Sequence, residues 1–297
     1  MFGWLNIDKP QGITSRDAVN VIQKLVAPAK VGHAGTLDPL ATGVLVLGIG
    51  PATRLISYVQ QKPKKYRARF RFGWQSPTDD IEGPASPVEG PLPSREELEE
   101  VCRKFVGRVE QVPPDFSAVK VAGQRAYHLA RKGTKPQLQA RTVEVYSLEL
   151  VAYEPPEWEI VVRCGAGTYI RALGRDIARR LDTAAIMVSL RREAVGNFTL
   201  ADAVPLEQYR HVEDVLAHMI EPIVALGEWP QIMLDNSQQR ALSNGQWIRL
   251  APAPHGAREL VAVNAAGQPI AILERAAGGK FRPVINLAPP GSSMAES

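Results

Sequence analysis

The chain has 297 residues, a length typical of two domains, and its 45% hydrophobic and 22% charged residues indicate a folded rather than a disordered protein. The formal net charge is only +4, so a polyanionic partner must be argued from where the charges lie. The two cysteines exclude a disulfide framework and a zinc motif, and the lack of a secretory leader or a long apolar run predicts a cytoplasmic protein with no membrane segment.

The first predicted elements are a helix and, after a glycine-rich stretch at residues 32–50, a buried strand at 44–47. Thr14 or Ser15 can cap the helix, and Pro28 ends it. Apolar residues recur between them at helical spacing: Ala18, Val21, Ile22 and Leu25.

Residues 62–72 alternate with a period of two, which predicts a strand with one apolar and one cationic face. The apolar face carries Tyr66, Ala68, Phe70 and Phe72. The other face carries Lys65, Arg67, Arg69 and Arg71.

The middle of the chain predicts a long loop at 75–93, followed by a helix with a capping box at Ser94 and Glu97. The core side of that helix carries Leu98, Val101, Cys102 and Phe105. The subsequent predictions are a short basic helix within 123–133, strands at 142–150 and 158–164, a helix at about 168–181, and a helical or loop-rich passage to about Trp229.

Beyond Trp229, short strands separated by turns predict a small β-barrel; they fall at 246–250, 260–264, 270–273 and 282–287. We therefore expect one domain over residues 1–228 and a second over 229–288. Residues 289–297 are expected to form a disordered tail.

The loop at residues 33–43 holds one carboxylate, Asp38, immediately before a proline. The alternative interpretation of this Asp-Pro pair is an Asx-type turn. An ionised aspartate can act as nucleophile or base without a metal, provided that a cation keeps it charged where water is excluded. Arg171, in the first turn of the predicted helix, is the candidate cation, whereas Arg175 and Arg179 are expected on a solvated face. The neighbouring residues 48–53 have threonine at the third glycine position of a dinucleotide fingerprint, so no nucleotide cofactor is predicted.

Basic residues gather around Tyr66, a distribution typical of RNA-binding surfaces, although a solvated basic face would look the same. They are Lys62, Lys64, Lys65, Arg67, Arg69 and Arg71, with Arg125, Arg131, Lys132, Lys135, Arg191 and Arg192 elsewhere. His33, beside Gly32, can stack on a base.

Several ordered blocks resemble the TruB family of tRNA pseudouridine synthases. They are GWLNIDKPQGITS at residues 3–15, KVGHAGTLDPLATGVLVLGIGPATRL at 30–55, KYR at 65–67, Thr78 and Asp80 before Gly83, PPDFSAVK at 113–120 with residues 123–133, GTYIR at 167–171 and LRR at 190–192. The resemblance implies an α+β fold, in which a catalytic domain with a mixed, mainly antiparallel sheet and flanking helices precedes a PUA-like, RNA-binding β-barrel. Residues 182–187 and Phe116 depart from the family pattern.

The resemblance also implies roles for individual residues. Asp38 matches the catalytic aspartate, Arg171 the arginine that pairs with it, and Tyr66 the tyrosine that packs on the target base near its C5 proton. Contacts to the substrate are implied for His33, Tyr66, Tyr169 and Leu190, and weaker contacts to the RNA backbone for Lys64, Lys65, Arg67 and Arg191. Lys9 and Lys120 lie in matching motifs without an assigned role, and neither a metal nor a cofactor is expected.

The implied reaction converts uridine 55 in the T-loop of tRNA into pseudouridine, after the base flips out of the loop. The expected partner is the T-arm stem-loop, bound by a monomer. Whether Asp38 attacks C1′, attacks C6 or removes a sugar proton stays open. Two alternatives also stay open: a non-catalytic tRNA-binding or folding factor, and an N-glycoside hydrolase, which needs a second carboxylate. Asp79, Asp80 and Glu82 could supply that carboxylate, but no motif links them to Asp38.

Overall fold

The structure is a computed structural model that describes residues 1–117, 119–121, 123–131, 133–134, 136–227, 229–250 and 258–287. The predicted tail at 289–297 and two of the predicted basic residues, Lys132 and Lys135, lie outside these residues. Among the described helices, none has the length and hydrophobicity needed to cross a lipid bilayer.

The described elements alternate between strands and short helices along the whole chain. The strands are β1 (Gly3–Lys9), β2 (Val31–His33), β3 (Thr42–Ile49), β4 (Lys64–Phe72), β5 (Trp74–Gln75), β6 (Ser86–Pro87), β7 (Gly107–Gln111), β8 (Lys120–Val121), β9 (Gln124–Arg125), β10 (Arg141–Glu154), β11 (Glu157–Cys164), β12 (Ala185–Val195), β13 (Phe198–Thr199), β14 (Val204–Pro205), β15 (Gln231–Met233), β16 (Ile248–Arg249), β17 (Glu259–Val263), β18 (Pro269–Arg275) and β19 (Lys280–Asn286). The α-helices are α1 (Ser15–Val26), α2 (Ile56–Gln61), α3 (Arg95–Lys104), α4 (Ala126–Arg131), α5 (Ile170–Arg179), α6 (Val212–Ala217) and α7 (Asn236–Ser243). Short 3-10 turns lie at Gly50–Leu55, Leu200–Asp202, Leu206–Gln208, Pro222–Leu226 and Ala277–Gly279.

Most strands of the first part of the chain join one mixed sheet, in the order β14-β1-β3-β12-β4-β11-β10-β7. Strand β12 lies at its centre, parallel to β3 and antiparallel to β4. The prediction of a helical or loop-rich passage after the helix at 168–181 was therefore wrong for residues 185–195, whereas α6 and several 3-10 turns do follow between residues 200 and 226. Register shifts at Met187/Ser189 and Arg192/Ala194 break the period-two pattern that identifies a strand in sequence.

Helices α1, α3 and α5 pack on one face of this sheet and form the main hydrophobic core with it. The predicted α3 is confirmed, with its capping box at Ser94 and Glu97 and with Cys102 in the core. In α1, the side chain of Val21 is exposed, because the buried face of the helix is shifted toward Ser15, Val19 and Val26. The prediction that Val21 contributes to the core was therefore wrong.

The two faces of β4 differ as predicted: Tyr66, Ala68, Phe70 and Phe72 are buried, and the alternating arginines are exposed. Lys64 was included among the surface cations, but its side chain is only 6% exposed. The reason is the period of two, which places Lys64 on the same face as Tyr66.

The last part of the chain forms a second sheet in the order β15-β17-β18-β19-β16, which confirms the predicted β-rich C-terminal region and adds α7 to it. This sheet shares a hydrophobic cluster with the opposite face of the main sheet. Trp4, Val44 and Val46 lie in one cluster with Val261 and Ile272. The domain boundary at 228/229 stays a prediction.

Candidate active site

The Asp38 loop connects β2 to β3 and is tied to the start of α1. The Ser15 hydroxyl donates a hydrogen bond to the Leu37 carbonyl at 3.0 Å and accepts one from the Leu37 N–H at 2.8 Å. The N–H of Gly12 donates to the Pro39 carbonyl at 2.9 Å. The backbone on both sides of Asp38 is thus fixed, while its side chain stays 36% exposed.

Arg171 lies in the first turn of α5 with its side chain only 6% exposed. Its Nε lies 3.0 Å from Asp38 Oδ2, and Nη1 lies 3.4 Å from Asp80 Oδ2. The guanidinium also donates to the carbonyls of Thr78, at 2.6 Å, and Phe116, at 3.2 Å. A single buried cation therefore holds two carboxylates that are distant in sequence.

Asp80 belongs to this site although the sequence provided no motif linking it to Asp38. Its carboxylate is 3% exposed and accepts hydrogen bonds from the Thr78 hydroxyl at 2.6 Å and the Glu82 N–H at 3.0 Å. Glu82 lies next to it, and desolvation together with the charge of Asp80 raises the pKa of Glu82. Asp80 is linked to Asp38 through Arg171, which sequence spacing alone could not reveal.

Tyr66 is buried beside Arg192, which lies two residues after Leu190 on β12. Burial raises the pKa of Tyr66, although the Arg192 charge acts in the opposite direction. Arg192 donates to the carbonyls of Gly35 at 3.1 Å and Val44 at 2.7 Å, and so holds both sides of the Asp38 loop.

Gly43, where the Asp38 loop enters β3, has a φ of 97°. A Cβ atom on this residue would collide with the Arg192 carbonyl, so this close approach requires glycine. The motif LRR contains Arg192, but its residue types alone do not indicate that this arginine braces the Asp38 loop.

Lys9 is a second buried cation, and it lies near Asp38 and Glu82. Its Nζ donates to the carbonyls of Pro10 at 2.8 Å and Ile13 at 2.7 Å. Burial lowers the pKa of Lys9 to about 8, against the opposing influence of Glu82 and Asp38.

Tyr169 and Leu190, two of the predicted substrate-contacting residues, flank the same region. Tyr169 is the N-cap residue of α5, its backbone is held by Gln111, and the Arg141 guanidinium lies 4.9 Å from its ring centre. Leu190 pairs in register with Ala68 on β4, two residues from Tyr66.

His33, another of the predicted substrate-contacting residues, is half-buried at the end of β2. Its Nδ1 is buried without a hydrogen-bond partner in the part of the chain that the structure describes. Desolvation and the nearby Arg192 lower the pKa of His33, so the ring is neutral at neutral pH.

The predicted RNA-backbone residues other than Lys64 are engaged in ion pairs on the sheet surface. Lys65 lies 2.9 Å from Glu193, and Arg67 lies 2.7 Å from Glu159 and 2.9 Å from Glu193. Arg191 lies 2.8 Å from Asp8.

Arg175 was predicted on a solvated face, which was wrong, whereas Arg179 is exposed as predicted. Arg175 is 14% exposed because Asp79, from the distant loop, covers it at 2.8 Å. The side chain of Arg179 is 69% exposed.

The sequence model described as the TruB family pseudouridylate synthase N-terminal domain matches residues 23–170. A Sinorhizobium medicae protein called tRNA pseudouridine synthase B is 39% identical over 293 residues, covering 95% of this chain and 94% of the relative. The protein of that name from Caulobacter vibrioides is 36% identical over 297 residues, with the same coverage. This chain belongs to the TruB family.

Solved structures agree with the TruB assignment. A chain of a Cbf5–Nop10–Gar1 complex is 25% identical, with a TM-score of 0.70 over 92% of this chain and 78% of that chain. A chain of an H/ACA RNP bound to a substrate RNA containing 2′-deoxyuridine shares the fold with a TM-score of 0.73 at 22% identity, over 97% of this chain and 86% of that chain. The α+β pseudouridine-synthase fold with a PUA-like C-terminal part, predicted from the sequence, is therefore confirmed.

Proposed function

We propose that this TruB protein converts uridine 55 in the T-loop of tRNA into pseudouridine, with Asp38 as the essential catalytic group. One observation carries the proposal: the Asp38 carboxylate is fixed on a buried guanidinium and yet remains open to solvent on one side. The relatives named tRNA pseudouridine synthase B support the choice of tRNA as substrate.

The reaction is an isomerisation in which the bond between N1 and C1′ breaks and a bond between C5 and C1′ forms. The proton on C5 is lost and N1 gains one, so no co-reactant is consumed. A uridine stacked in a folded loop exposes neither C1′ nor C6 to a protein side chain, so the nucleotide must first flip into the site. The proposed binding partner is the T-arm, which contains this loop.

Asp38 acts in this scheme as nucleophile or base toward the flipped nucleotide. Arg171 offsets the negative charge of the carboxylate when the substrate displaces water, and it can also stabilise negative charge that develops on the base. Asp80 and the two backbone carbonyls fix the guanidinium, so its orientation does not need to change during the reaction.

Tyr66 forms the wall against which the detached base rotates. Because burial raises the pKa of this phenol, it stays protonated at neutral pH and contributes through packing. Leu190 and Tyr169 keep water from the site, where hydrolysis would release the base. The neutral ring of His33 can stack on an extruded base, and Lys65, Arg67 and Arg191 can exchange their carboxylate partners for phosphates.

The test is incubation of the full chain with an unmodified tRNA transcript, followed by mapping of pseudouridine. We expect modification of uridine 55 by the wild type and none by Asp38→Asn, with the affinity for tRNA largely retained. Asp235→Asn is the matched control, because Asp235 is the N-cap residue of α7 and asparagine caps a helix equally well.

Three results would contradict the proposal in different ways. Multiple turnovers by Asp38→Asn would remove the assignment of the nucleophile or base. Release of free uracil would indicate a hydrolase. Tight tRNA binding without any modification by the wild type would indicate a folding factor.

A further inference from the structure

A cavity of about 260 Å³ lies where β4 begins, away from the Asp38–Arg171 pair. Its polar lining consists of Lys62, Lys64, Lys65, Arg163 and Asn197. Strands β11 and β12 end beside it, since Lys64 is in register with Cys164 and Val195. The ends of three central strands therefore meet around one opening, and the cations in its lining come from the start of β4 with the segment just before it and from the end of β11.

Lys64 is a buried cation at this cavity without a carboxylate beside it in the described residues. Its Nζ donates to the carbonyls of Gln60 and, at 2.6 Å, Lys62, which leaves the third N–H of the ammonium without an acceptor in the same part of the chain. Burial lowers the pKa of Lys64 to about 8, which shows that the charged form is disfavoured here. An anion bound in the cavity would offset this desolvation.

Arg163 and Lys65 add charge at the rim. The Arg163 guanidinium lies 5.3 Å from the ring centre of Tyr146, and no salt bridge involves it among the described residues. Lys65 pairs with Glu193 at 2.9 Å, but Arg67 binds the same carboxylate. Lys64, Lys65 and Arg163 thus line the cavity, and among the described residues Glu193 is the carboxylate paired with one of them.

Farther along the cationic face of β4, carboxylates neutralise the arginines. Arg69 lies 3.3 Å from Glu157 and 4.0 Å from Glu159, and Arg71 lies 2.6 Å from Glu157. These arginines carry the same charge on the same strand but already have carboxylate partners. The excess of positive charge is therefore confined to the start of the strand.

The turn after β12 shapes the cavity. The N–H of Gly196 donates to the Pro63 carbonyl at 2.8 Å, and its φ is 54°. A Cβ atom at this position would collide with the side chain of Lys62. Glycine here lets that lysine lie along the turn at the edge of the cavity.

The cavity is also close to the proposed site of the target base. Lys64 and Tyr66 are two residues apart on one strand, which corresponds to roughly 7 Å. That distance is of the order of one nucleotide step in an extended RNA strand.

We propose that this cavity binds a backbone phosphate of the RNA substrate, close to the nucleotide that flips onto Tyr66. The inference rests on the proposed function for its choice of ligand. The phosphate would accept hydrogen bonds from Arg163 and Lys65 on the exposed face of the sheet, with the Asn197 amide as a further donor, and the charge of Lys64, which lines the same cavity from the buried face of β4, would add to the attraction. It would hold the strand next to the flipped nucleotide while the base is detached.

The first test compares Arg163→Gln with Arg69→Gln in the full chain, by measuring the dissociation constant for unmodified tRNA at several salt concentrations. Both variants remove one exposed arginine from the same sheet surface. Because each lost phosphate contact lowers the slope of log Kd against log salt by about 0.7–0.9, we expect that change for Arg163→Gln and less than about 0.3 for Arg69→Gln. Equal slopes for the two variants would overturn the proposal.

The second test identifies the contact directly, with T-arm hairpins that each carry one neutral methylphosphonate linkage. The wild type should lose affinity at one linkage close to the target uridine, by about fivefold to tenfold for a charge-assisted contact. Arg163→Gln should be insensitive to that same linkage, whereas Arg69→Gln should respond like the wild type. If no linkage shows this coupling, the cavity does not bind a phosphate.

Failure here is distinguishable from failure of the proposed function. If the wild type modifies tRNA but the coupling is absent, the phosphate site is wrong and the enzymatic assignment stands. If the coupling is present but uridine 55 is not modified, the RNA contact stands and the assignment of the reaction is wrong.

Discussion

Two of the arginines on helix α5, Arg171 and Arg175, lie one turn apart, and each binds a carboxylate from the loop that holds Asp79 and Asp80. Arg175 is covered by Asp79 and Asp176, both at 2.8 Å, and these side chains are 14% and 22% exposed. Arg171 holds Asp80, which is 3% exposed, and Asp38, which is 36% exposed. The residue types are the same, but only one of the two clusters is open.

In the proposed mechanism, that difference separates a structural contact from a reactive one. In the Arg175 cluster, each carboxylate is occupied and covered, so the cluster fastens the loop to the helix. In the Arg171 cluster, the arginine is fixed by a buried acid and by backbone carbonyls, and it also pairs with Asp38, whose carboxylate is partly exposed to solvent. Preorganised charge of this kind is effective in catalysis because it needs no rearrangement during the reaction.

The largest effect is expected from Arg171→Lys, which tests whether the open cluster requires a guanidinium. A lysine provides one point charge and cannot bridge Asp38, Asp80 and the two carbonyls together. We expect kcat to fall about 100-fold to 1000-fold while the affinity for tRNA changes by less than about threefold. Arg179→Lys, on the exposed side of the same helix, is the control. Equal losses in kcat and affinity would show that Arg171 mainly holds RNA.

Asp80→Asn should have the next largest effect. Asparagine keeps the shape and the acceptor for Thr78, but it removes the charge that fixes the far side of the guanidinium. We expect kcat to fall about 10-fold to 100-fold without a matching rise in KM, because the loss is in orientation. Single-turnover rates measured with saturating tRNA would show this. An unchanged single-turnover rate would mean that Asp80 only stabilises the loop.

Local sequence motifs were sufficient to predict several residues of this site. Asp38, Tyr66 and Arg171 lie in motifs that resemble one family, and the structure places Asp38 and Arg171 in direct contact. Asp80 and Arg192 also lie in segments that resemble the family, but their contacts in the site were not predictable, because both depend on long-range pairing. The hydrogen bond between Arg192 and Val44, for example, spans 148 positions.

The fold shows the same limit. Strand β4 was predicted well because its alternation is unbroken over nine residues. Strand β12 was missed because two register shifts interrupt its pattern. The exposure of Arg175 was predicted wrongly for a similar reason. Helical spacing indicates the side of a helix on which a residue lies, but it does not show that a distant loop covers that side.

Arg175→Gln should break the covered cluster and leave the open one functional. The substitution leaves Asp79 and Asp176 without their shared cation. Because these two carboxylates are only partly exposed to solvent, we expect the free energy of unfolding to fall by about 2 kcal/mol. At temperatures well below the unfolding transition, we expect kcat to stay within about threefold of the wild type. Urea unfolding and a turnover assay on the same preparation measure both quantities. A large loss of kcat with unchanged stability would contradict the distinction between the two clusters.

The smallest effect is expected from Asp79→Asn. Burial raises the pKa of Asp79 despite Arg175, so its ionised form is disfavoured in the folded protein. As the pH rises, Asp79 loses its proton at a lower pH in the unfolded chain than in the folded protein. Its contribution to stability is therefore complete below its unfolded pKa and declines as the pH rises through its folded pKa. Relative to Asp79→Asn, the wild type should therefore lose free energy of unfolding as the pH rises from the unfolded pKa of Asp79 through its folded pKa. Thermal unfolding of the two proteins across this range measures the difference. A wild type that gains stability relative to the variant over the same interval would show that Arg175 more than compensates for the burial of Asp79.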